Sequence, residues 1–114
     1  MTGPRVVVAH VPDLMDRSKL TARDDIDVTF VRDPAELAAT ARELAAAIVV
    51  VDLSRPGVLD ALAAGGLPER VIGFGSHVDR DLLDAARQTG GLEVMPRSQF
   101  FGRLDTVLAT APPD

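Results

Sequence analysis

Asp52 is the side chain in this sequence that is best placed to do chemistry. It follows five apolar residues, Ala47 to Val51, of which four are β-branched, and a Pro-Gly break comes soon after it. An apolar run without polar alternation is typical of a strand that is buried on both faces of a parallel sheet. Open α/β sheets bind their ligands at the carboxyl ends of the strands. The pattern therefore predicts a carboxylate at the edge of the sheet where such folds place their sites.

His10 and His77 both lie at the carboxyl ends of predicted strands and could face each other beside Asp52. Two imidazoles and a carboxylate suit Zn²⁺ or a similar metal. A His at a strand end more often hydrogen-bonds to a neighbouring loop, and we expect this structural role rather than a metal site. Ser76 would complete the residue types of a hydrolase triad, but no G-x-S-x-G motif surrounds it.

Two further charged residues belong to this predicted edge. Asp13 lies in the loop after the first strand and could supply a metal carboxylate, although the cap of a helix is the role that we expect for it. Arg97 follows the last predicted strand, and we expect it to pair with Asp52, which would also cap its own turn.

Phe100 and Phe101 are adjacent and make up half of the four aromatic residues. Neighbouring residues on a helix point about 100° apart, so both cannot pack squarely on one core. We expect one of them to lie near the surface beside Arg97 and Arg103, where it would form a docking point for a protein partner.

Segments of strand and helix periodicity alternate along the chain and would position these side chains. The helix after the first strand starts between Pro12 and Asp16, Asp33 and Glu36 form a capping box with Pro34, and Ser98 caps the last helix. Leu37, Ala41, Leu44 and Ala45 form the apolar stripe of the second helix. The predicted strands are Arg5 to His10, Ile26 to Val31, Ile48 to Val51, Arg70 to Gly75 and Leu92 to Met95, and the remaining helices are Gly57 to Ala64 and Asp79 to Thr89.

Five strands, each followed by a helix, predict an α/β three-layer sandwich with a parallel sheet. In a chain of 114 residues the economical arrangement is flavodoxin-like, with strand order 2-1-3-4-5. No glycine-rich phosphate loop follows the first strand, which argues against nucleotide binding. We expect one domain over residues 1–114, with residues 1–4 and 110–114 frayed.

The composition excludes several functional classes. The net charge is −5 with a single Lys, which argues against nucleic-acid binding. No apolar run approaches the roughly 18 residues of a membrane span, and the start lacks a signal-peptide pattern, so we expect a cytoplasmic, bacterial-type protein. There is no cysteine, which rules out disulfides and thiolate sites.

The segment VVVDLSRPG resembles the third strand, phospho-acceptor Asp and following turn of the receiver domain of bacterial response regulators. DAARQTGGLEVMPRS is similar to the receiver's fourth helix, glycine stop and fifth strand. The resemblance implies that Asp52 occupies the acceptor position and Arg97 the position of the invariant Lys.

Departures from the receiver pattern weaken the implied activity. Where receivers carry two Mg²⁺-binding acids at the end of the first strand, this chain has Ala9 and His10. Receivers have a Thr or Ser at the end of the fourth strand that binds the phosphoryl oxygens, and this chain has Gly75 there, with Ser76 one place later. Arg97 stands in place of the receiver Lys, and Arg is not equivalent to Lys. The aromatic switch residue of the fifth strand is also missing.

We therefore predict a non-catalytic pseudo-receiver that needs no cofactor and acts by binding a protein, either a different chain or a second copy of itself. Only five residues follow Ala109, so we expect no output domain within this sequence. One alternative is an atypical response regulator that is phosphorylated on Asp52 with help from Asp13 and Mg²⁺. The other is a small metal- or anion-binding protein that uses His10, Asp52, His77 and Arg97.

Overall fold

The computed structural model describes residues 4–68, 70–76, 80–88 and 92–108. Five strands form one sheet in the order β2-β1-β3-β4-β5, and each neighbouring pair is parallel. The strands are β1 (Arg5–His10), β2 (Ile26–Phe30), β3 (Ile48–Asp52), β4 (Arg70–Gly75) and β5 (Leu92–Pro96). The helices are α1 (Leu14–Thr21), α2 (Leu37–Leu44), α3 (Val58–Ala64), α4 (Arg80–Arg87), α5 (Arg97–Gly102) and α6 (Leu104–Val107). The predicted flavodoxin-like fold is confirmed.

The central strand β3 is buried along its whole length, as its unbroken apolar run predicted. Its side chains alternate between two cores, one on each face of the sheet. Val49 and Val51 pack with α2, α3 and α4 residues such as Leu37, Leu62 and Leu83. Ile48 and Val50 pack on the other face with residues of α1, α5 and α6, including Leu20, Phe100 and Leu104. The sheet is therefore covered on both sides, which is what its hydrophobic strands require.

Among the described residues, two aspartates begin helices on the carboxyl side of the sheet. Asp13 caps α1, since its side chain accepts hydrogen bonds from the amides of Met15 and Asp16. Asp33 and Glu36 form the predicted capping box, although Pro34–Glu36 is a turn of 3₁₀ helix that leads into α2. The start of α1, which the weak periodicity left open, is thus determined by a local side-chain acceptor.

The predicted apolar stripe of α2 is partly wrong. Leu37 and Ala41 are buried, but Leu44 is 42% exposed and Ala45 is also exposed. The helix ends at Leu44 because Ala45 adopts a left-handed conformation with φ of 52°. The chain turns there toward β3, and the buried position passes to Ala46.

The last helix also differs from its prediction. It begins at Arg97 rather than after a Ser98 cap, and Pro96 is the preceding residue. Arg103 has φ −134° and ψ 37°, which separates α5 from α6. Phe100, Leu104 and Leu108, at four-residue spacing, are buried across this break. Both short helices therefore pack against the sheet despite the interruption.

Gly73 allows β4 to lie close to the segment after β3. A Cβ atom at this position would lie 2.7 Å from Leu53 Cδ2, which is far shorter than van der Waals contact. A side chain at Gly73 would therefore force Leu53 to move. Within the described ranges, none of the helices is long and apolar enough to cross a membrane.

Candidate functional site

The ends of four parallel strands bring the predicted site residues to one edge of the sheet. His10 of β1 is opposite Val51 of β3, and Asp52 is opposite Phe74 of β4. Ser76 and Arg97 come directly after β4 and β5. This register puts His10, Asp52, Ser76 and Arg97 on the carboxyl edge, where a topological switch point separates β1 from β3.

Asp52 is 5% exposed and is bound by its own turn. Its Oδ1 accepts a hydrogen bond from the Ser54 amide at 3.0 Å and another from the Ser54 hydroxyl at 2.6 Å. Arg55 Nε lies 3.4 Å from Oδ2. Asp52 therefore caps its own turn, as expected, and its positively charged partner is Arg55.

The expected pairing of Arg97 with Asp52 is not observed, because Arg97 pairs with Asp16. Arg97 Nη1 donates to Asp16 Oδ2 at 2.7 Å, and Nη2 donates to Oδ1. Asp16 is completely buried, whereas the Arg97 side chain is 43% exposed. The hydrogen bonds that Arg97 donates to Asp16, with weaker contributions from the charges of Asp52 and Asp13, raise the pKa of the Arg97 guanidinium. A fully buried carboxylate requires such a partner, and Arg97 supplies it.

Asp16 was not identified as a site residue from the sequence. One signal could have found it: Asp16 and Leu20 are four residues apart, and both lie on the buried face of α1. An acid on that face predicts a buried cation as its partner. Choosing Arg97 among the 11 Arg residues required the tertiary structure, because α1 and α5 are distant in the sequence.

Asp13 makes the capping contacts that we expected of it. Its Oδ1 accepts hydrogen bonds from the amides of Met15 and Asp16 at 2.9 and 3.0 Å. The hydrogen bond from the Asp16 amide is the largest cause of a lowered pKa for the Asp13 carboxyl.

The end of β1 lacks the oxygen ligands that Mg²⁺ prefers. Ala9 is completely buried, and His10 is 4% exposed with its Nδ1 3.1 Å from the carbonyl oxygen of Val31. This contact is the loop hydrogen bond that we expected for a His at a strand end. In the part of the chain that is described, no group of three or more His, Cys, Asp or Glu side chains is arranged to hold a metal ion. The residues present at this edge do not fit a receiver-type Mg²⁺ site.

Ser76 is exposed directly after β4 and lines a shallow pocket together with Lys19, Arg97, Ser98 and Phe101. His77, the other residue proposed for a metal site, lies outside the described residues. The structure therefore places Ser76 and Arg97 in a common pocket that faces α1, and Asp52 is not among the residues that line it.

The two adjacent phenylalanines pack against each other, and only one of them is fully buried. Phe100 is completely buried and stacks on Phe74, with ring centroids 4.9 Å apart. Phe101 is half-buried and contacts both rings edge-on. Lys19 Nζ and Arg97 Cζ lie 4.8 and 5.1 Å from the centroid of the Phe101 ring. Phe100 therefore cannot serve as an exposed anchor, while Phe101 and the exposed Arg103 remain partly accessible.

Leu14 and Met15 are exposed apolar residues that the sequence patterns did not single out. They begin α1 next to the Asp13 cap and are 75% and 74% exposed. Because α1 starts beside the carboxyl edge of the sheet, these side chains flank the candidate site. The weak helix periodicity of this segment was the available signal, since it contains apolar residues that share no buried face.

Comparison with known proteins reveals similarity of structure only. No family model and no curated protein matches the sequence. The response regulator domain of Thermotoga maritima CheB has a TM-score of 0.69 and 19% identity, with 99% of each chain covered. The signal receiver domain of a protein described as a Luxo repressor from Vibrio parahaemolyticus has a TM-score of 0.65 and 19% identity, with 94% of this chain and 88% of that chain covered. The fold is that of response regulator receiver domains, and the function must be argued from this chain's own residues.

Proposed function

We propose that this chain is a non-catalytic pseudo-receiver, a regulatory module in signal transduction that acts by binding another protein. The observation that carries this proposal is the set of groups around Asp52. Ser54 and Arg55 already satisfy its carboxylate, and Ala9 and His10 stand on the neighbouring strand where metal-binding acids would be needed.

The groups around Asp52 argue against phosphoryl transfer because the side chain of Asp52 is negatively charged. A carboxylate that attacks a phosphoryl group approaches a second anion, so a cation must offset the repulsion. Mg²⁺ would need oxygen ligands that β1 does not provide. The charge of Arg97, which follows β5, is largely neutralised by the buried Asp16 with which it pairs. Arg55 neutralises Asp52 from the solvent side, which stabilises the folded turn without preparing an acceptor.

Exposed side chains beside this edge support binding as the mode of action. Leu14 and Met15 are the most exposed large apolar residues in the described ranges, and they project from the start of α1. Half-buried Phe101 lies on α5, which packs on the same face of the sheet as α1. Apolar side chains that a folded chain leaves in water are typical of surfaces that a partner covers.

An atypical phospho-accepting receiver is the second candidate, because Asp52 is buried at the end of β3 and Arg97 is close enough for its charge to interact. NMR separates the two. We expect millimolar Mg²⁺ with a beryllium fluoride phosphoryl analogue to leave the amides around Asp52 unshifted. Saturable shifts centred on Asp52 and Asp13 that are lost in Asp52→Asn would overturn the non-catalytic proposal.

A further inference from the structure

The pocket between α1 and α5 has features of a binding site for a small organic anion. Its volume is about 370 Å³, and it is lined by Lys19, Ser76, Arg97, Ser98 and Phe101. Two lining residues are cations, two carry hydroxyl groups and one is aromatic. Small-molecule sites commonly combine an apolar wall with a few converging polar groups, and this volume is at the lower end of their range.

The cations of the pocket retain capacity to bind. Arg97 uses two N–H groups on Asp16 in the contacts described, and a guanidinium has five N–H donors. Lys19 is exposed, and the contact described for its ammonium is with the Phe101 ring. None of the residues that line the pocket is a carboxylate. Asp16 neutralises Arg97 from the interior, so Lys19 supplies most of the positive charge that a ligand would meet.

The remaining groups favour an organic anion over a bare inorganic one. The ring of Phe101 and the hydrocarbon stems of Lys19 and Arg97 provide apolar surface beside the charged atoms. The Ser98 hydroxyl is a donor that suits a carboxylate or phosphate oxygen at the same opening. A ligand with one anionic group and one flat apolar group could contact both kinds of surface.

We propose that the pocket of Lys19, Ser76, Arg97, Ser98 and Phe101 is a binding site for a small organic anion that carries a planar apolar group. Arg97 links this pocket to the buried Asp16 and lies within electrostatic reach of Asp52. Binding of a metabolite there would change the electrostatic environment at the carboxyl edge of the sheet without phosphorylation of Asp52. The proposal goes beyond protein binding and does not depend on it.

Titration of the free protein, followed by amide NMR shifts, tests this site with phenyl phosphate as the probe. We expect saturable shifts at Lys19, Ser98 and Phe101, and an affinity at least threefold higher than for inorganic phosphate. Benzyl alcohol should bind more weakly than phenyl phosphate, because it lacks the anion. The replacement Lys19→Gln should lower the affinity three- to tenfold, which corresponds to the loss of one charge-assisted contact.

The replacement Arg42→Gln is the matched control, because it removes an exposed cation that does not line this pocket. It should leave the phenyl phosphate affinity unchanged. No saturable shift with up to 20 mM probe would overturn the proposal, and so would equal affinities in Lys19→Gln and Arg42→Gln. Equal affinities for inorganic phosphate and phenyl phosphate would also contradict the proposal that the ligand carries a planar apolar group. None of these measurements requires a protein partner, so failure here is distinct from failure of the pseudo-receiver proposal.

Discussion

Asp16 of α1 and Arg97 of α5 form a two-point ion pair that connects helices from opposite ends of the chain, across 81 positions of sequence. The Asp16 carboxylate is fully buried. The Arg97 guanidinium lies over the ring of Phe74 at the carboxyl edge of the sheet, with Cζ 5.7 Å from the ring centroid. Arg97 therefore has a structural partner that is different from Asp52.

We predict that Arg97→Ala lowers the free energy of unfolding by about 2 kcal/mol, because it leaves the buried Asp16 carboxylate without its partner. The double variant Asp16→Asn with Arg97→Ala should lose less than the sum of the single losses. Denaturant unfolding of the four proteins in this cycle measures the coupling, which we expect to be about 1 kcal/mol or more. Additive losses would show that the ion pair has no net interaction.

Asp52→Asn should retain most of the stability, because an amide oxygen can still accept from the Ser54 amide and hydroxyl. Asp52→Ala removes both hydrogen bonds, and we expect it to cost about 1 to 2 kcal/mol. Thermal melts of the two variants check this order. Under the proposed function, Asp52→Asn should also capture the same partner from native-cell extract as the unaltered chain. Loss of that partner in a folded Asp52→Asn protein would place function at the carboxylate.

The exposed start of α1 leads to a second binding prediction. Met15→Ser should reduce partner capture strongly with little change in melting temperature, because an exposed apolar side chain contributes to an interface and not to the core. Leu44→Ser is the control, since Leu44 is exposed at the end of α2 on the opposite face of the sheet. Equal capture by the two variants would remove α1 from the proposed surface.

Gly73→Ala should destabilise the fold by about 1 to 3 kcal/mol, because the new Cβ would overlap the Leu53 side chain. Gly102→Ala is the comparison, since a Cβ added there would meet nothing within 4 Å and Gly102 is the last residue of α5. That change should be neutral or slightly stabilising, by up to about 1 kcal/mol. Chemical denaturation of both variants would measure the difference, and similar effects would contradict close packing at Gly73.

The lowered pKa of Asp13 predicts a contribution to acid sensitivity. A carboxyl whose pKa is lower in the folded state stabilises the fold above its unfolded value, near 3.8, and this stabilisation is lost as the pH falls through the folded value. Asp13→Asn keeps an acceptor for the α1 cap but cannot titrate. We expect its stability to decline less steeply below pH 4 than that of the unaltered chain. Parallel unfolding curves at pH 6, 4 and 3 measure this, and identical declines would count against it.

Periodicity and local capping were sufficient to predict the fold from sequence. The apolar run before Asp52 indicated a central strand, and alternation with helices indicated the parallel sheet. These signals are local and repeat within a few residues. They failed where the signal was short, as at Ala45, whose left-handed conformation ended α2 before the predicted stripe was complete.

The sequence alone determined that Asp52, His10, Ser76 and Arg97 would meet at one edge, because parallel strands bring their carboxyl ends together. It did not determine which charges pair there. Arg97 was the expected partner of Asp52, but Arg55 takes that place, and only the placement of α1 against α5 brought Asp16 to Arg97. The burial of Phe100 was decided in the same way, by its stacking on Phe74 of β4. The Asp52–Arg55 pair is local, since the two residues are three positions apart. The Asp16–Arg97 pair and the Phe74–Phe100 stack join residues that are remote in the chain, and a single sequence contains no local pattern that specifies such distances.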